Sequence, residues 1–309
     1  MVDPLNIMKC CSLTNSFYFI HVPPEPNKIF QRLCCFDNEN VKLPENINGT
    51  NFHLNLENAR EFYYKNAKIL CKDCPIPRNE EYLEKLPSKS IKLCLEMSHV
   101  CSLNCDYCHY NNDSGSNDVI KNETTKLIEE NRNLLLDKLE VLVSQPFIKI
   151  VNNCGGEFFE NKKIMDLMLK WKKNYNVEIE TMTNLVNYDP SYPLDYIIIS
   201  WHKKANLDIF LRNLDRLSKD LKNDLIQITL LCGNTEHAFH VEEAFELVKK
   251  HLSPDKFAPD YVNVIGRRFK GSYSYEHMKS IVDRTIDLGF KKSKFCSDHK
   301  YLYQRGHFF

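Results

Sequence analysis

Ile91-Lys-Leu-Cys-Leu-Glu-Met97, followed at once by Ser98-His-Val-Cys101-Ser-Leu-Asn-Cys105-Asp-Tyr-Cys108, is the stretch on which the fold turns. Its first half is a short apolar run with the pattern of a strand buried in a sheet. Its second half is a C-x3-C-x2-C loop, so metal-binding side chains stand directly at a strand's end. Outward from this stretch the chain alternates. Short runs at 147–151, 177–182, 196–201, 225–231 and 261–265 are apolar on both faces and rich in β-branched residues, as expected of parallel strands covered by helices.

Helical patterns fall between the runs. Ile164, Leu167, Met168 and Trp171 recur at i, i+3, i+4 and i+7, one apolar stripe on one face. Leu207, Phe210, Leu211, Leu214 and Leu217 form another stripe, as do Val241, Ala244, Phe245, Val248 and Leu252. Leu127, Ile128, Leu134, Leu135 and Leu139 outline one helix before 147, and Met278, Ile281, Val282 and Thr285 a last one ending near Gly289. Pro190 and Pro193 interrupt the connection after 182, so its helix is short or absent. About six strand–helix units predict an α/β fold, a partial (β/α)6 TIM-like barrel rather than a closed eight-fold one. The barrel is expected over 91–270, after an irregular cysteine-rich module at 1–90 and before a C-terminal helix and tail at 271–309.

Composition narrows the class. The 309 residues balance 41 Lys+Arg against 41 Asp+Glu, which argues against a protein that coats nucleic acid by bulk charge. With only 9 Gly, collagen-like and glycine-linker readings are excluded. Thirteen Cys is an odd number, and residues 1–24 hold only the apolar patch 17–20 without a basic leader, so a closed disulfide framework explains them poorly. No run approaches the roughly 20 apolar residues that span a bilayer. The expectation is a cytoplasmic protein whose thiols are reduced or metal-bound.

The chemistry concentrates at strand ends. Three thiolates of one short loop can converge on a single iron–sulfur cluster. Three protein ligands on a four-iron cluster leave one iron open to a substrate or cosubstrate, by the logic that separates catalytic from structural zinc. The competing reading of the spacing is a zinc site completed by His99 or His109. Gly155-Gly156-Glu157 ends the next strand, where two glycines allow close backbone approach and the acid can bond an ammonium group. Thr181-Met-Thr183-Asn184 ends the third, and Ser200-Trp-His202 the fourth. These residues are expected on the C-terminal rim, where barrels of this kind hold their active sites.

The cysteine loop with Tyr107 before its last cysteine, followed by Gly155-Gly156-Glu157 on the next strand, resembles the radical S-adenosylmethionine (SAM) superfamily over roughly residues 91–266. Phe158 stands where the family often has Pro, and Leu185 where it often has Gly after the third-strand Asn. The resemblance implies that Cys101, Cys105 and Cys108 ligate a [4Fe–4S] cluster whose open iron takes the amino and carboxylate groups of SAM. It casts Glu157 as partner of the SAM amino group, and Thr183, Asn184 and Ser200 as candidates for its ribose or methionine part. Arg212 is a candidate for its carboxylate, against an equal alternative of a solvated helix face. Tyr107 would shield the cluster and offer its backbone to the adenine. The implied activity is reductive cleavage of SAM to a 5′-deoxyadenosyl radical that abstracts hydrogen from a substrate, fed by an external donor such as flavodoxin or ferredoxin.

The N-terminal cysteines form two adjacent pairs, Cys10-Cys11 and Cys34-Cys35, and a C-x2-C at Cys71 and Cys74. A strand-like stretch at 16–20 and a helical one at 57–67 lie among them. Cys11, Cys34, Cys71 and Cys74 are the chosen four-cysteine set, for iron–sulfur or zinc. The set resembles the SPASM or twitch auxiliary-cluster module of radical SAM proteins, here before the barrel, which implies a second [4Fe–4S] cluster and a peptide or protein substrate. A sugar or other small-molecule substrate is the alternative within the enzyme class. A non-catalytic iron–sulfur or zinc protein is the alternative outside it. Cys94, Cys154 and Cys232 read as packing residues, and Cys296 has no assigned role.

Overall fold

In the computed structural model, the described residues are 17–22, 30–32, 91–105, 108, 118–221, 225–232, 238–252 and 262–266, with isolated positions at 26, 56, 58, 60, 61, 64, 65, 236 and 287. They belong to two bodies. One draws on 1–98, 124–155 and 166–179, the other on 99–123, 156–165 and 180–309.

In the first body the strands are β1 (Phe17–His21), β2 (Phe30–Arg32), β3 (Ile91–Glu96) and β4 (Ile148–Asn153), in the order β2-β1-β3-β4. β2 runs antiparallel to β1, whereas β1, β3 and β4 are mutually parallel. The strand-like stretch near residues 16–20 is thus β1, aligned beside β3 with Cys94 opposite Phe19. Parallel pairing demands long crossovers, and the one from β3 to β4 carries two helices.

Those helices are α1 (Asp118–Leu134) and α2 (Leu136–Val143), where the sequence predicts one. Leu135 leaves helical geometry with φ −105° and ψ 3°. The break lets Leu135, Leu139, Leu142 and Val143 all be buried while Leu134 points to water, which one continuous stripe would not allow. Ser144 Oγ and Gln145 Nε2 donate to the Val141 carbonyl at 2.9 and 2.7 Å, satisfying an acceptor that the end of α2 leaves open. Arg132 of α1 is buried, pairs with Glu129 at 3.6 Å and donates to the Met97 carbonyl at 3.4 Å. A buried guanidinium therefore holds the backbone between β3 and the cysteine loop.

After β4 come a single 3-10 turn (Phe158–Glu160) and α3 (Lys162–Tyr175), whose Ile164, Met168 and Trp171 are buried as the sequence predicts. β5 (Glu178–Thr183), β6 (Tyr196–Trp201), β7 (Ile226–Cys232) and β8 (Val262–Gly266) follow, all parallel in that order. No helix forms in 184–195, which agrees with the two prolines there. α4 (Leu207–Asp220) joins β6 to β7 and starts at Asn206, whose side chain accepts from Ile209 N at 3.1 Å. α5 (Val241–His251) lies between β7 and β8.

The strands of this second body are less symmetric than expected. In β6, Ile197, Ile199 and Trp201 are buried, while Tyr196, Ile198 and Ser200 are only half-buried. Trp201 stacks on Phe210 of α4 at 4.4 Å and meets Phe239 edge-on at 6.1 Å, so the fully buried face is the helix-covered one. The opposite face places Ser200 in register with Thr229, and Thr229 with Asn263. The α/β class with parallel strands and intervening helices is as predicted. Among the described residues, no helix is long and apolar enough to cross a membrane. The C-terminal helix predicted at 278–285 and the auxiliary cysteines lie outside the described residues.

Trp201→Ala removes the stacked pair and opens a cavity, so stability is expected to fall by about 3–5 kcal/mol in chemical denaturation. A loss below about 1 kcal/mol would show that the helix-covered face of β6 does not carry the core.

Candidate functional site

The cysteine loop leaves β3 at Glu96 and turns through Asn104, whose φ of 44° lies in the left-handed region that Asn tolerates. Cys105 is buried; Cys101 and Cys108 are half-buried. Cys108 N donates to the Cys105 carbonyl at 3.1 Å, and both side chains pack with Leu103 and Ala238. Contacts from later parts of the chain reach four points of the loop. Glu157 N donates to the Val100 carbonyl at 2.6 Å. Asn184 Nδ2 donates to Cys101 Sγ at 3.9 Å, and His202 Nδ1 lies 3.8 Å from Cys105 Sγ. Lys204 Nζ donates to the Asn104 carbonyl at 3.1 Å.

Glu157 is the buried centre. It is 3% exposed, yet its carboxylate accepts three hydrogen bonds. Thr183 Oγ1 and Phe159 N donate to Oε1 at 2.6 and 3.2 Å, and Asn184 N donates to Oε2 at 2.6 Å. The end of β5 is thereby tied to the Gly155-Gly156-Glu157 turn, whose glycines have φ of 102° and 62°. Leu185 takes φ 63° at the position where the sequence motif favours Gly. Several bonds force it there: Leu185 N donates to Thr183 Oγ1 at 2.9 Å, and buried Asn213 donates to the Leu185 and Val186 carbonyls at 2.9 and 3.0 Å.

Burial sets the protonation of the site. It pushes the Cys101 thiol up to about 12, with the charges of Glu157, Glu160 and Cys105 adding to it against a hydrogen bond from the Leu103 backbone. Burial likewise raises Glu157 to about 7, opposed by the bonds from Asn184, Thr183 and Phe159.

The second body thus brings together Cys101, Cys105, Cys108, Gly156, Glu157, Thr183 and Asn184 through contacts in and around the loop. Ser200 is half-buried at the end of β6, one residue before Trp201. Arg212 is exposed on α4, which accords with its solvated-face reading. Gly155 falls in the first body, and Tyr107, Cys11, Cys34, Cys71 and Cys74 lie outside the described residues. Glu160 was not singled out by any motif. It bonds Ser102 and Asn187, and the only signal for it was its place three residues beyond Glu157.

Among the described residues, no three His, Cys, Asp or Glu side chains are placed to hold a metal ion. The donor chemistry nevertheless fits a thiolate-held centre. Three thiols share one loop, and side-chain nitrogens stand 3.8 and 3.9 Å from two of the sulfurs, the type of outer contact that tunes such ligands.

No protein-family model and no curated protein matches the sequence. Among solved structures the chain is similar to "Native anSMEcpe with bound AdoMet and Cp18Cys peptide", at 13% identity and TM-score 0.44, over 65% of this chain and 62% of that one. It is also similar to a histidine-tagged anSMEcpe "with bound AdoMet", at 14% identity and TM-score 0.43, again over 65% of this chain and 62% of that one. The chain therefore spans less than two thirds of the length of these proteins.

Glu157 yields a pH prediction. Its folded value of about 7 lies above the ordinary 4.5, so the folded state binds the proton more tightly than the unfolded state does. Stability from this group is full below the ordinary value and is lost as pH rises toward 7, by about 3 kcal/mol in all. Urea denaturation at pH 5 and pH 8 is expected to show this component in the native protein and not in Glu157→Gln. An identical pH dependence in both would refute it.

Proposed function

We propose that the chain is a radical SAM enzyme whose cluster is held by Cys101, Cys105 and Cys108. One observation carries the reading: a C-x3-C-x2-C loop follows a parallel strand, and Asn184 and His202, from the ends of two further strands, address its sulfurs. When bound, the cluster and SAM supply reductive cleavage to methionine and a 5′-deoxyadenosyl radical that abstracts hydrogen from the substrate.

The chain's own residues hold and orient. A carboxylate has about four acceptor positions. Thr183, Phe159 and Asn184 fill three on Glu157, so one remains for an ammonium hydrogen of SAM. A cationic amino group there favours the ionised carboxylate that burial alone disfavours. The same contacts fix Thr183 and Asn184 and leave Thr183 Oγ1 one lone pair, and Asn184 one Nδ2 hydrogen and one Oδ1 lone pair, which we assign to the methionine or ribose portion. Ser200 is assigned to the same ligand from the partly open face of β6. Arg212 is assigned to the SAM carboxylate from the exposed side of α4. Burial of Cys105 beside Ala238 and Leu103 keeps water from that sulfur.

We assign a peptide or protein substrate on the SPASM-like arrangement of Cys11, Cys34, Cys71 and Cys74, with a second [4Fe–4S] cluster there. Reduction comes from an external low-potential donor such as flavodoxin or ferredoxin, in the cytoplasm.

Anaerobic protein reconstituted with iron and sulfide, then given SAM and a strong reductant, is expected to release 5′-deoxyadenosine, and Cys105→Ala to abolish it. Release that persists in Cys105→Ala would refute the assignment. In protein with Cys101, Cys105 and Cys108 all replaced by Ala, about four irons per chain are expected to remain on the N-terminal set. One zinc in their place would overturn the second cluster.

A further inference from the structure

Glu160 ends the short turn that Glu157 begins, and its carboxylate faces a different element. Ser102, the residue after Cys101, donates to it twice: from N to Oε2 at 2.8 Å and from Oγ to Oε1 at 2.5 Å. Asn187, beyond the end of β5, donates to Oε1 at 2.9 Å. Hydrogen bonds to an ionised acceptor are shorter and stronger than neutral ones, and a serine offering both its hydroxyl and its amide fits a carboxylate's two oxygens.

The acid is presented by a rigid support. Glu160 N donates to the Glu157 carbonyl at 3.2 Å. Phe158 and Phe159 are buried and meet edge-to-face at 5.2 Å, and Phe159 also meets Tyr188 edge-on at 5.3 Å. Phe158, at the position where the family motif often has Pro, is part of this anchor. The turn spends little ordering entropy in aiming Glu160. On the other side, the loop has no helix or strand between Cys101 and Cys105, so contacts made from outside it add to the few bonds within it.

We propose that Glu160 is a positioning residue that holds the cysteine loop closed by gripping Ser102, with Asn187 steadying the carboxylate. What the loop holds rests on the radical SAM reading, but the grip itself does not. The two carboxylates of Glu157-Phe-Phe-Glu160 divide the work: that of Glu157 secures the end of β5, and that of Glu160 secures the ligand loop. Opening of the loop exposes buried Cys105 and releases whatever the three sulfurs bind.

The test compares full-length native protein with Glu160→Gln and Ser102→Ala. Glu160→Gln keeps the size but removes the charge and replaces one acceptor oxygen by a donor nitrogen, so the bonds from Ser102 N, Ser102 Oγ and Asn187 cannot all be kept as they stand. The first readout is the alkylation rate of each cysteine in metal-free protein, measured by mass spectrometry. Cys105 reports loop opening, and Cys94, buried in β3, reports global unfolding. Cys105 is expected to react about tenfold faster in Glu160→Gln with Cys94 unchanged, and Ser102→Ala to fall between the two. The second readout is loss of iron to a chelator from reconstituted protein, expected to quicken by a similar factor. An unchanged Cys105 rate, or an equal rise at Cys94, would overturn the proposal. A native protein that takes up no iron while the Cys105 effect stands would remove the cluster reading and leave the grip intact.

Discussion

The site depends on one buried carboxylate. Glu157 is almost without solvent, and a charge there would be costly if Thr183, Asn184 and Phe159 did not donate to it. The bonds from Thr183 and Asn184 fasten the end of β5 to the turn after β4, and the one from Phe159 braces the turn itself. The backbone N–H of the same residue reaches the Val100 carbonyl just ahead of Cys101. One residue therefore sets the cysteine loop and the β5 end in common register, and the balance between its burial and its bonds places its titration near neutrality. A cation bound beside it would shift that balance toward the ionised form more strongly than beside a surface acid.

The polar residues of the second body are not scattered. The helix-covered face of β6 and β7 is filled by Ile197, Ile199, Trp201, Ile226, Ile228 and Leu230. The other face carries Ser200 and Thr229 in register, and the strand ends carry Thr183, Asn184 and His202. A parallel strand covered by helices on both sides has no reason to alternate in this way. The alternation is the structural counterpart of polar residues clustering at strand ends in the sequence.

Much of this was legible in the chain. The runs at 91–97, 147–151 and 196–201 are short, apolar and β-branched, and all became parallel strands because nothing in their sequence competes. The absence of a helix after β5 followed from Pro190 and Pro193. The break between α1 and α2 was not legible, because Leu134 and Leu135 both satisfy a helical stripe and only packing decides which one is buried. At the site, the three cysteines and Glu157 stood out by spacing. Glu160 did not, because its partner Ser102 is 58 residues distant and neither belongs to a periodic pattern. Leu185 showed the reverse case. A residue poorly suited to φ 63° occupies it because bonds through Thr183 and Asn213 outweigh its own preference.

The central claim is that the Cys101, Cys105 and Cys108 loop holds a four-iron cluster with one iron open to SAM. Electron paramagnetic resonance of the reduced, reconstituted protein tests it most directly, in protein whose N-terminal cysteines Cys11, Cys34, Cys71 and Cys74 are replaced so that only one cluster contributes. The expected result is a signal from a single reduced four-iron cluster whose g-values shift when SAM is added. A cluster signal indifferent to SAM, or no cluster on these three cysteines, would contradict it.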